Sequence, residues 1–131
     1  MTAIVVPEKE QNKIRSFTDL DTWQVSHKLV LMIYRITKNF PSEERFGLTN
    51  QIRRAAVSIT SNIAEGFSKK HPKEKAQFYV TALSSLTELQ NQLLIAKDVT
   101  YLKQDTFDVA AKQSIRAAKL INSLIKSAKT L

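Results

Sequence analysis

Gln51-Ile-Arg-Arg-Ala-Ala-Val-Ser-Ile-Thr-Ser-Asn-Ile-Ala-Glu-Gly66 has two unlike faces once it is wound as a helix. Gln51, Arg54, Ser58, Asn62 and Glu65 recur at spacings of 3, 4, 4 and 3 residues. At about 100° per residue they fall on one narrow polar stripe. Ile52, Ala55, Ala56, Ile59 and Ile63 form an apolar face beside it. A solvated helix face needs no ordered mixture of amide, guanidinium, hydroxyl and carboxylate. The stripe therefore points either to a specific polar interface or to a binding surface, and the pattern admits both.

The rest of the chain repeats the same helical logic. Its 131 residues suffice for one domain with a single core. Only 2 glycines and 3 prolines are present, whereas sheets and loop-rich folds consume turn residues. Long helices with few connections are the consequence. The spacing predicts a first helix over 20–39, where Leu20, Trp23, His27, Val30, Tyr34 and Thr37 recur, stopped by Phe40-Pro41. A second helix is predicted over 49–65, with Thr49 as its N-cap and Gly66 as a left-handed C-terminal cap. A third, over 73–98, starts beside Pro72 and carries the seam Tyr79, Ala82, Leu86, Leu89, Leu93 and Ala96. A fourth is predicted over 104–129, with Phe107, Ala110, Ala117, Ile121 and Ile125 turned inward. Residues 1–17 read as a flexible tail, which leaves 18–131 as the bundle domain. Short connections set neighbouring helices antiparallel, so the expected fold is an all-α, up-down-up-down four-helix bundle.

Composition limits the chemistry. The chain has no cysteine, which excludes disulfides, thiolate nucleophiles and Cys-ligated metal sites. A net charge of +8 and a pI of about 9.8 favour polyanionic partners: RNA, DNA or acidic proteins. No apolar stretch approaches the roughly 20 residues of a membrane span, and Met1–Ser16 lacks the apolar core of a secretory leader. A cytoplasmic protein without a membrane partner is expected.

Two surfaces stand out. Arg54 can hold a carboxylate or a phosphate through paired hydrogen bonds. Glu88, in a second polar row with Ser85 and Gln92, is a natural opposite number. Two facing rows would satisfy one another where they are buried, giving a polar interface network of Gln51, Arg54, Ser58, Asn62, Glu65 and Glu88. The same Arg54 could instead hold a ligand. Separately, Lys112, Arg116, Lys119 and Lys126 stand at offsets 0, 4, 7 and 14, within a sector of roughly 80°. Lys103 and Lys129 extend this row, and Lys69, Lys70, Lys73 and Lys75 follow the second helix. Lys69, Lys70, Lys73, Lys112, Arg116, Lys119 and Lys126 are the expected nucleic-acid-binding set. No aromatic residues interleave with them, so contact to phosphates rather than base stacking is implied. Charged faces that serve only solubility have the same appearance.

Catalytic patterns are absent. His27 on the apolar stripe reads as a packed, hydrogen-bonded histidine, and His71 sits beside a helix start. No carboxylate is patterned with either, so no metal or cofactor is expected. Glu65 and Glu88 lack the Glu-x-x-His pattern of a di-iron bundle. No enzyme is expected. Among Trp23, Tyr34, Phe40, Phe46 and Phe67, most suit the core, and Phe46 and Phe67 suit contacts at a bundle end.

Certain residue combinations are more specific. They are Asp19-Leu20 with Trp23-Gln24, Ile33-Tyr34, Phe40-Pro41, and Phe46-Gly47-Leu48-Thr49 running into the Gln51–Ile59 segment. Ser61-Asn62-Ile63-Ala64-Glu65-Gly66 follows, then Ser85-Leu86-Thr87-Glu88-Leu89 with Gln92-Leu93. On these residues the chain resembles the bacterial four-helix-bundle family encoded inside 23S rRNA intervening sequences, sometimes labelled S23 ribosomal protein. The likeness covers about 17–102, and the last helix matches only as an amphipathic helix. The resemblance implies a bundle that assembles as a ring, a homopentamer, with RNA binding inferred from the genetic setting and no settled activity. A basic, oligomeric, non-enzymatic bundle that contacts structured RNA such as rRNA is the resulting expectation. The alternative is a protein-interaction adaptor, for example an accessory subunit of a nucleic-acid enzyme.

Overall fold

The computed structural model describes residues 13–129. Among them are four helices and no strand: α1 Asp21–Thr37, α2 Leu48–Ser68, α3 Pro72–Asp98 and α4 Gln104–Lys129. Short 3₁₀ turns at Phe17–Asp19 and Ser42–Glu44 precede α1 and α2. Each helix packs on the next, and α1 also packs on α4, while the pairs α1–α3 and α2–α4 make no close approach. The α2–α3 seam is the most extensive. One core therefore lies at the centre of four helices, each contributing one stripe.

That core follows the periodicity. Leu29 and Ile33 of α1, Ile52, Ile59 and Ile63 of α2, Leu86, Leu89 and Leu93 of α3 and Ile121 of α4 are buried. Each such side chain contributes about 1.5–3 kcal/mol by leaving water. Alanines fill the places where backbones come close: Ala55 and Ala56 on α2, Ala82 and Ala96 on α3, Ala110 and Ala117 on α4.

The helix ends depart from expectation, each for a local reason. Of the 1–17 tail, residues 1–12 lie outside the described residues. Ser16 accepts the Thr18 N–H at 3.3 Å, and the Asp19 carboxylate accepts the N–H groups of Arg15 and Ser16 at 2.9 Å each. This capping box starts the first turn, and the Arg15 and Ser16 N–H groups hold the Asp19 carboxyl below its ordinary pKa.

Helix α2 begins at Leu48, one residue before the expected start, and Thr49 is not its cap. Gly47 occupies the N-cap, and Glu44 Oε1 accepts the Leu48 N–H at 3.0 Å. A carboxylate one turn upstream thus meets an orphan donor of the first turn.

Gly66 is not a left-handed cap either. It lies inside α2, which continues to Ser68, and no described glycine has positive φ. Its use is clearance: a Cβ there would stand 2.6 Å from Tyr79 Cε1 and 3.0 Å from Phe78 Cβ. The carbonyls of Gly66 and Phe67 accept Lys75 Nζ at 3.0 and 2.8 Å.

The left-handed cap sits at the end of α3, on Thr100, with φ 70°. The Thr100 N–H donates to Lys97 O at 3.0 Å and the Tyr101 N–H to Ala96 O at 2.8 Å, the pair of bonds of a Schellman motif. A β-branched residue in this conformation carries a strain of about 1–2 kcal/mol.

Candidate interface and polyanion-binding surfaces

The polar stripe of α2 meets the second polar row in part. Ser58 and Ser85 share a hydrogen bond of 2.8 Å between their hydroxyls. Asn62 Nδ2 donates to Ser58 O at 2.8 Å and to Ser58 Oγ at 3.1 Å. On α3, Gln92 Nε2 donates to Glu88 Oε2 at 3.3 Å. Among the described residues Arg54 and Glu88 are not joined by a hydrogen bond or ion pair. The side chains of Gln51, Arg54 and Glu65 are exposed and make no such bond within the described residues. The seam thus joins Ser58, Asn62 and Ser85 across two helices, holds Glu88 against Gln92, and leaves three stripe residues facing outward. Gln92 Oε1 is buried there without a hydrogen-bond partner.

Arg54 opens instead onto a surface groove that it lines with Tyr34, Asn50, Arg53, Val57 and Ser58. Arg53 was absent from the expected set, yet it ties α2 to α1. Its Nε donates to Thr37 Oγ1 at 2.8 Å, and its guanidinium lies 4.8 Å from the centre of the Tyr34 ring. Its terminal nitrogen reaches Tyr34 O at 3.4 Å. The orphan carbonyls that end α1 supply the physical need for a cation here. That need is readable only once the end of α1 is known to face Arg53.

The α1–α2 connection is tied to the α3–α4 connection. Glu44 Oε2 accepts the Tyr101 hydroxyl at 2.8 Å, and the Tyr101 ring packs on Phe40 at 5.5 Å between centroids. The Leu48 N–H and the Tyr101 hydroxyl hold the Glu44 carboxyl below its ordinary pKa, and the same carboxylate raises that of Tyr101. Above this turn Phe46 is 86% exposed, with the Arg45 guanidinium 5.4 Å from its ring centre. Phe67, at the end of α2, is half-buried with Lys75 Nζ 5.3 Å from its ring centre.

The expected basic set divides by environment. Lys112, Arg116, Lys119 and Lys126 are all exposed on α4. Arg116 and Lys119 line a groove between α1 and α4 together with Asp21 and Gln24. Lys70 and Lys73 are exposed. Lys69 is half-buried, its Nζ 5.2 Å from the Phe78 ring centre. Lys75 is directed to the α2 carbonyls, and its partial burial lowers its pKa. Lys73 and Lys129 line one groove with Pro72, Ala76, Gln77 and Val80, so the last turn of α4 lies beside the first turn of α3.

His27 is packed, though by stacking rather than by the expected hydrogen bond. Its ring lies 4.5 Å from Trp23 at an interplanar angle of 13°. His71 is the N-cap residue of α3 and makes no side-chain cap bond. Among the described residues no group of three or more His, Cys, Asp or Glu side chains is arranged to hold a metal ion. Nor is any helix among them long and apolar enough to cross a membrane.

Four helices around one core, with a serine-linked α2–α3 seam and basic surfaces on α4 and after α2, define an all-α bundle. The chain belongs to the 23S rRNA-intervening sequence protein family, whose family model matches residues 18–123. It is also similar to a crystal structure of a protein with unknown function from the S23 ribosomal protein family of Bacteroides thetaiotaomicron. The two share 21% identity and superpose with a TM-score of 0.74, over 80% of this chain and 95% of that chain. At that identity the likeness is one of fold. No curated protein matches the chain.

Proposed function

We propose that this chain is a non-enzymatic, cytoplasmic scaffold that binds structured RNA, such as rRNA, through its phosphates. The observation that carries this reading is the exposure of Lys70, Lys73, Lys112, Arg116, Lys119 and Lys126 in a chain of net charge +8. Lys69 flanks them. Among the described residues the rings beside these cations, Phe67 and Phe78, are half-buried and already face Lys75 and Lys69, which suits phosphate contact over base readout. The family name, which refers to insertions in 23S rRNA, supports RNA as the polyanion.

The topology of this scaffold is up-down-up-down. Bonds from Arg53 to Thr37, from Lys75 to Gly66 and from Gln113 to Val25 support that order. It assembles as a cyclic homo-oligomer, a pentamer by family resemblance. The outward-facing Gln51, Arg54 and Glu65 support a role in subunit contact, because such an ordered polar set has no partner within the described residues.

Binding of rRNA fragments at two salt concentrations tests the function. Phosphate contact predicts a steep loss of affinity as salt rises. No binding at low salt, or affinity indifferent to salt, overturns it. A second reading, an adaptor for a nucleic-acid enzyme, draws on Phe46, which stands exposed on a connection held by Glu44. Nuclease-resistant association with a defined enzyme that Phe46→Ser abolishes would favour it.

A further inference from the structure

The seven cations expected to bind nucleic acid are not equivalent, because the fold gives some of them carboxylate neighbours. On the side of the bundle, Asp21 of α1 lines the same groove as Arg116 and Lys119. Asp108 stands one turn before Lys112 on α4, its carboxylate accepting Gln104 Nε2 at 2.9 Å. Arg116 and Lys119 thus share their groove with a carboxylate. At the end of the bundle the balance differs. The groove shared by Lys73 and Lys129 joins the α2–α3 connection to the last turn of α4. Lys69 and Lys70 precede it in the chain, and Lys126 lies three residues before Lys129, on a neighbouring part of the α4 surface. Of the local carboxylates only Glu65 and Glu74 fall in these segments. Lys75 is already committed to the carbonyls of Gly66 and Phe67.

We infer that the phosphodiester backbone of RNA meets this protein end-on, at the groove between Lys73 and Lys129 with Lys70 beside it, and not along the α4 row. This inference rests on the RNA reading above and assigns its site. Cations in a groove that no carboxylate lines gather phosphates, because each contact releases a condensed counterion. Arg116 and Lys119 offer less, since Asp21 in their groove repels the same phosphates. The groove walls are otherwise mostly apolar, with Pro72, Ala76 and Val80, and Gln77 is the one uncharged side chain there that can hydrogen-bond a base edge. The contact is therefore chiefly to backbone shape and charge, with Gln77 alone placed for a base contact. In a closed ring every subunit presents the same end, so the sites repeat and act together.

The test compares two variants that remove equal charge: Lys70→Gln/Lys73→Gln/Lys129→Gln at the end, and Lys112→Gln/Arg116→Gln/Lys119→Gln on the side. A short RNA hairpin and inorganic polyphosphate serve as probes, across a salt series, with circular dichroism confirming that both variants fold. The end variant should lose about tenfold or more in affinity, and its salt slope should flatten by about one unit for each lysine removed. The side variant should lose several-fold less than the end variant, because its cations supply general attraction and not close phosphate contact. Equal losses, or a larger loss for the side variant, overturn the end-on site. If wild type binds polyphosphate but not the hairpin, the RNA reading falls, while the variants still decide the end-on site on polyphosphate. Binding to neither probe overturns both. Tighter binding to poly-glutamate than to both phosphate probes overturns the inference in favour of an acidic protein segment.

Discussion

The Glu44 carboxylate accepts the Tyr101 hydroxyl at 2.8 Å, across 57 residues of sequence. One carboxylate thereby joins the α1–α2 and α3–α4 connections while its other oxygen starts α2 at Leu48. Gly47 permits this, because a Cβ there would stand 2.6 Å from Glu44 Oε1.

That arrangement predicts an acid-sensitive stability. Donors around Glu44 hold its folded pKa below the ordinary value of 4.5, and donors around Asp19 do the same from 3.8. A carboxyl with a depressed folded pKa stabilises the fold above its unfolded value and loses that contribution as pH falls through the folded one. Thermal melts from pH 7 downward should therefore show wild type more stable than Glu44→Gln at neutral pH. The difference should shrink once pH drops below 4.5. A gap that does not change with pH would refute the linkage.

Gly66→Ala should destabilise the fold by about 1–3 kcal/mol. The new methyl would press on Tyr79, which is only 2% exposed and has no room to retreat. Urea unfolding reads the loss directly. A neutral or stabilising outcome would mean that α2 and α3 separate there more easily than their packing implies.

Thr100→Gly should act in the opposite direction, raising stability by about 1 kcal/mol, because the left-handed backbone at φ 70° suits glycine. The added chain entropy of glycine when unfolded reduces the gain. The midpoint of denaturation should rise with no change in its slope. A fall would show that the Thr100 side chain contributes more than its strain costs.

Ser58 and Ser85 invite a double-mutant cycle. Either single alanine leaves a hydroxyl facing an apolar group in the seam and should cost about 1 kcal/mol. The double alanine should cost less than the sum, with a coupling of about 0.5 kcal/mol or more. Strict additivity would show that the 2.8 Å contact carries no energy.

Arg54→Ala tests the outward half of the stripe. Light scattering should report a smaller or heterogeneous oligomer, while RNA affinity per subunit at low salt changes by about twofold or less. An unchanged oligomer with lost binding would move Arg54 from the interface to the ligand.

Much of this was legible from spacing. Ile52, Ile59 and Ile63, or Leu86, Leu89 and Leu93, recur at the helical period, and each proved buried. Four helices therefore follow from the order of apolar residues alone, with ends displaced by a few residues. The capping chemistry was less legible. Gly66 has the composition of a left-handed cap, yet Tyr79 claims the space beside it, and the left-handed position falls to Thr100. Propensity ranks residues for a conformation, whereas the conformation itself is imposed by packing. The role of Arg53 is not legible in the sequence, because its partners, Thr37 and Tyr34, lie on another helix.

The sequence by itself determined the helices, their buried faces and the family, because those depend on periodicity and on local residue combinations. Only the tertiary structure decided which polar groups meet. It paired Ser58 with Ser85, left Arg54 facing a groove, and set Asp21 beside Arg116 and Lys119 while Lys73 and Lys129 came together in a groove that no carboxylate lines. The physical reason is range. Burial is written along one helix, residue by residue, whereas a hydrogen bond or a field of charge depends on distances between helices that no single helix specifies.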